Sequence, residues 1–144
     1  MDKMIFVNLP VSDLARSIAF YEAIGAVKEP KLSNDAAAMM KLSDTIAVML
    51  LTHDFYTGFT SKPIADAHGS SQVLLALSAV DKGAVDAQVA AAAAAGGKAD
   101  PGPKQEHGDQ MYGRSFEDPD GHHWEAVWMA PEAAEAGASS FENA

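Results

Sequence analysis

The chain has 144 residues, of which 48% are hydrophobic and none is cysteine, and its formal net charge is −10. That length suits one domain or two small modules sharing a core, and the missing thiols exclude disulfides, thiolate ligands and a cysteine nucleophile. The ten basic residues are scattered, so neither nucleic acid nor an anionic membrane surface is an expected partner.

The opening "MIFVNLPV" reads as a strand and turns polar too soon for a secretory signal. No apolar run reaches the roughly 18 residues of a membrane span, and a cytoplasmic location is the expectation. "DLARSIAFYEAIG" follows as a helix, with Ser12 or Asp13 as cap and Gly25 just past its end. Leu14, Ile18, Tyr21 and Ile24 form its inward face. A weak strand near Ala26–Lys31 leads to "AAAMMKLS" and "TIAVMLLT", two strands joined by "SD".

Residues 53–71 break the pattern with Gly, Pro, Ser and Thr and read as a crossover with a short helical turn. The order then begins again. "SQVLLALSAV" is a strand, "DKGAVDAQVAAAAAAGG" a capped helix with Val85 and Val89 inward, and "KADPGPKQ" a weak strand or loop. "QMYGRSFE" and "HHWEAVWM" are strands joined by the turn "DPDG". The expected organisation is a first βαβββ module over residues 1–52, a linker over 53–71, a second module over 72–130 and a mobile tail over 131–144. Either module alone would leave a sheet face uncovered, which makes an internal duplication the economical explanation.

"NLPVSDLARSIAFYEAIG" near the start and "YGRSFEDPDGHHWEAVW" a hundred residues later resemble the vicinal oxygen chelate superfamily of glyoxalases, bleomycin-resistance proteins and extradiol dioxygenases. The likeness covers roughly residues 4–130 and is nearest to bacterial predicted lactoylglutathione lyases. It implies an α+β fold in which two βαβββ modules form a cup-shaped mixed sheet with helices outside, and it implies a homodimer. It also implies a divalent metal held by His, Gln or Glu on several strands, which stabilises an enolate or a related anion.

On this chain the resemblance puts Glu125 at the last-strand ligand position, while the other usual positions hold Phe6, Met49 and Leu74. Phe, Met and Leu are poor donors to a hard or borderline cation. Asn8, Gln72 and His53 lie at matching strand parity, so Glu125, His53 and Gln72 are the candidate ligands and the usual set is incomplete.

Glu125 is open to three roles: metal ligand, general base, or partner of a cation. A four-residue loop at "DPDG" would place Arg114 opposite it on one sheet face, where the pair could anchor a small molecule. Tyr112 shares Arg114's parity and would line the same cavity as a hydrogen-bond donor. His107, in a loop before that strand, is a candidate acid or base. His123 has Glu125's parity, whereas His122 points the other way. Two functions follow: a lyase or isomerase acting on a small carbonyl or glutathione-linked compound, or a metal-free protein that sequesters a small molecule in an apolar cavity lined by Phe6, Met49 and Leu74. No phosphate-binding Gly-rich loop, G-x-S-x-G or H-E-x-x-H is present, which speaks against nucleotide-dependent and serine-hydrolase functions.

Overall fold

A computed structural model describes residues 2–137. The chain divides into two compact units, Met1–Ser70 with Pro119–His122, and Ser71–Asp118 with His123–Ala144.

In the first unit, β1 (Ile5–Val11) leads into α1 (Leu14–Ala23), followed by β2 (Val27–Glu29), β3 (Ala37–Lys41) and β4 (Ile46–Thr52). The sheet order is β1-β4-β3-β2. β1 runs parallel to β4, and the other pairs are antiparallel. This is a βαβββ module, because a parallel return needs a crossover and α1 supplies it. Asp13 caps α1 by accepting from the Arg16 amide, and Gly25 takes φ +108 just beyond the helix end, where a side chain would be strained.

The buried face of α1 is Ser17, Phe20, Tyr21 and Ile24, rotated from the Leu14, Ile18, Tyr21, Ile24 stripe expected from spacing. Leu14 and Ile18 are only half-buried. Ser17 is admitted to the interior because its hydroxyl donates to Asp120 Oδ2 at 3.5 Å, so its burial is not an unpaired one. Phe20 and Tyr21 meet edge-to-face at 5.1 Å.

The second unit repeats the topology. β5 (Leu75–Ser78) is followed by α3 (Lys82–Ala94), β6 (Lys98–Ala99), β7 (Gln105–Glu106), β8 (Met111–Glu117) and β9 (His123–Met129). The order is β5-β9-β8-β6, with β7 also on β8 and β5 parallel to β9. The strand that partners β8 is split into two short pieces, because Pro101 and Pro103 between them lack the amide hydrogens a ladder needs. Val85 and Val89 of α3 are fully buried, as is Phe116 of β8, and Trp124 of β9 is 2% exposed; each valine is worth about 2 kcal/mol of apolar burial.

The crossover expected over 53–71 contains α2 (His53–Tyr56), capped by Thr52. Where a mobile tail was expected from residue 131, Pro131–Ala136 form α4 with Ala133 buried; residues 138–144 lie outside the described residues. Among the described residues no helix is long and apolar enough to cross a membrane.

Candidate functional site

The β8–β9 register decides the chemistry of the second unit. Five residues, 118–122, connect the strands, so Glu117 faces His123, Ser115 faces Glu125 and Arg114 faces Ala126. The four-residue loop expected from "DPDG" would have shifted this by one, and a one-residue slip moves a side chain to the other face. Arg114 and Glu125 are therefore on opposite faces, and the pair expected between them does not form.

Arg114 instead turns towards α3. Its Nη1 donates to Asp86 Oδ1 at 2.9 Å, its Nε to Asp100 Oδ1 at 3.0 Å and its Nη2 to Asp100 Oδ2 at 2.6 Å. The Asp100 contact is a bidentate fork, the geometry that favours Arg over Lys. Tyr112 donates to the same Asp86 oxygen at 2.7 Å. The Tyr112 hydroxyl and then Arg114 hold the Asp86 carboxyl below its ordinary pKa. Arg114 does the same for Asp100, while hydrogen bonding to Asp86 pushes the Tyr112 phenol up. Asp100 and Asp86 raise Arg114 further. Tyr112 and Arg114 thus fasten helix to sheet rather than line a cavity with Glu125. The sequence signal for Asp100 was its place in "ADPGP": it is a non-glycine residue at positive φ, +52, where Asp is tolerated.

The other face of the same sheet carries Ser115, Glu117, His123 and Glu125. His123 Nε2 lies 3.4 Å from Glu125 Oε1, and the two side chains are 20% and 32% exposed. Their shared parity was legible in the sequence. Gly102 closes in on this group: its amide donates to Ser115 Oγ at 3.0 Å, and a Cβ there would lie 3.5 Å from that oxygen and 3.7 Å from His123 Cε1. Neither Gly102 nor Ser115 was visible as part of a site beforehand, since both depend on the return of the 100–103 turn. Gln72 and Leu74 precede β5 rather than lie within it, and Leu74 is 61% exposed. His107 sits in the β7–β8 turn, its amide donating to the Met111 carbonyl. A depression of about 340 Å³ on this unit is bounded by Lys82, Asp86, Glu106, Gly108, Met111 and Tyr112.

In the first unit, Asn8 is the register partner of Met49 and Phe6 shares their parity, so these three occupy one sheet face. Phe6 is 47% exposed, and Asn8 Nδ2 donates to the Phe6 carbonyl at 3.2 Å. His53 opens α2 and borders a separate depression of about 270 Å³ with Ile64, Asp66, His68, Asp120 and His122. The polar groups there serve the chain itself. His122 Nε2–H donates to the Pro10 carbonyl at 2.8 Å, and Asp120 accepts from the Ser12 amide and from Ser17. Asp66 accepts from the His68 amide.

Among the described residues no group of three or more His, Asp or Glu side chains is placed to hold an ion, and Gln72 lies outside any strand.

The family model for the Glyoxalase/Bleomycin resistance protein/Dioxygenase superfamily matches residues 3–126, and the chain belongs to that superfamily. Solved structures with the same fold include the hypothetical protein SA1046 from S. aureus, 24% identical with a TM-score of 0.73 over 89% of this chain and 94% of that one. The fosfomycin resistance protein FosX from Mesorhizobium loti is 15% identical, with a TM-score of 0.66 over 94% and 98%. TnmS3, an antibiotic binding protein from Streptomyces sp. CB03234, is 21% identical, with a TM-score of 0.61 over 90% and 98%. At these identities the likeness concerns the fold. No curated protein matches the chain.

Proposed function

We propose that the protein binds a small organic molecule on the Glu125 face of the second unit, without a divalent metal. The observation that carries this reading is the donor set: Phe6, Met49 and Leu74 stand where the superfamily resemblance calls for ligands, and Glu125 alone can donate. A partly exposed sheet face with the Glu125 carboxylate beside the His123 imidazole suits a ligand with an apolar body and a polar handle. The test is elemental analysis of untagged protein dialysed against zinc, nickel, manganese and iron. Metal well below one equivalent is the expected result; a full equivalent that disappears in Glu125→Ala overturns the reading.

One observation favours a second reading, a lyase or isomerase. The His123–Glu125 contact joins an imidazole to a carboxylate, the equipment for moving a proton next to a carbonyl. Turnover of a small carbonyl or glutathione-linked substrate, lost in Glu125→Gln with the fold intact, would establish it. A homodimer belongs to the same proposal, since Met4, Ile5 and Phe6 leave apolar surface exposed at the edge of the first sheet; sedimentation at two concentrations decides it.

A further inference from the structure

We infer that the ligand of the Glu125 face carries a protonated nitrogen, seated against the Glu125 carboxylate. This rests on the binding reading above and names the chemical class of its ligand.

The inference starts from where the cations are. Arg114, the residue expected to neutralise Glu125, is on the opposite face and committed to Asp86 and Asp100. On Glu125's own face, β9 contributes His123 and Val127, β8 contributes Gly113, Ser115 and Glu117, and β5 contributes Ala76 opposite Glu125. The lysine on this face is Lys98, directly across from Glu117. It stands on β6, two strands away from β9, a separation of roughly 10 Å at ordinary strand spacing. That is about a Debye length in physiological salt, and the Glu117 carboxylate lies between.

Among the described residues of this unit, the side chain that meets Glu125 is His123, and 3.4 Å is a long contact. A carboxylate has about four acceptor positions, and one weak partner leaves most of them open. A protonated amine, amidine or guanidine fills them with short charge-assisted bonds. A carboxylate or phosphonate ligand would meet like charge on Glu125, while Arg114, the arginine of this unit, is on the opposite face. Ala76, small and exposed, lies across from Glu125 on β5 and leaves that side of the carboxylate open.

The test uses three probes of one shape: benzylamine, benzyl alcohol and benzoate, each titrated at pH 7.5 into the full-length, isotope-labelled protein. Amide shifts are followed at Gly102, Ser115 and Glu125. Benzylamine is expected to move all three signals and to bind at least several-fold more tightly than the other two. Its affinity should fall roughly fivefold or more in Glu125→Gln and on raising salt to about 1 M, where surface charge is screened. Glu132→Gln, on the exposed start of α4, should leave binding unchanged and controls for net charge. Benzoate or benzyl alcohol winning at the same amides would sink the cationic class while leaving metal-free binding in place. Three probes that all leave these amides still would overturn the binding face itself.

Discussion

At the scale of single residues, the charges of the second unit sort by face. Asp86 and Asp100 have lowered pKa values because Tyr112 and Arg114 stabilise their ionised forms. A carboxyl whose folded pKa is depressed contributes stability above its unfolded value, near 3.9, and loses it as pH falls through the lower folded value. The protein is therefore expected to lose stability below about pH 4, and Asp100→Asn should flatten that decline in urea melts taken from pH 2 to 7. A steeper acid decline in the variant would contradict the assignment. Gly121 makes a second case. It has φ +88, and a Cβ there would sit 2.8 Å from the backbone nitrogen of His68. Gly121→Ala should cost about 2–3 kcal/mol, read as a lowered denaturation midpoint with unchanged m-value.

At the scale of elements, the connection between β8 and β9 does the deciding. Five residues rather than four put Arg114 across from Ala126, and the sheet then separates two groups that the sequence places at matching positions. A double-mutant cycle on Arg114 and Glu125 should give a coupling within about 0.5 kcal/mol of zero, as for independent sites. The cycle on Arg114 and Asp100 should give about 1–2 kcal/mol, reduced by the partial exposure of Asp100. Equal coupling in both cycles would mean that the register is wrong. The same connection touches α1: Asp120 accepts from the Ser12 amide and the Ser17 hydroxyl, and Ser17 lies on the buried face of the helix.

At the scale of the whole molecule, the chain has two units with one topology, and it belongs to a superfamily whose fold hosts unrelated activities. Fold membership therefore sets the scaffold and leaves the chemistry to the side chains placed on it. With Phe6 and Met49 on strands of the first unit and Leu74 just before β5, loading with divalent metal should leave the thermal midpoint within about 1 °C, since an ion without a site adds no linkage stabilisation. A rise of several degrees at millimolar zinc would show a site the described residues do not display.

The sequence by itself determined the alternation of strands and helices, a capped start for each long helix, Gly25 just past the first of them, the repeated module and the superfamily. These follow from local spacing, where the periods of 3.6 and 2 and the turn residues act over a few positions. The parity of His123 with Glu125 was legible for the same reason. Only the tertiary structure decided that Arg114 serves Asp86 and Asp100, that Gly102 and Ser115 join His123, and that Ser17 is buried. Each of these depends on a loop count or a partner 13 to 103 residues away. A slip of one position, invisible in the local pattern, moves a charge from one side of a sheet to the other.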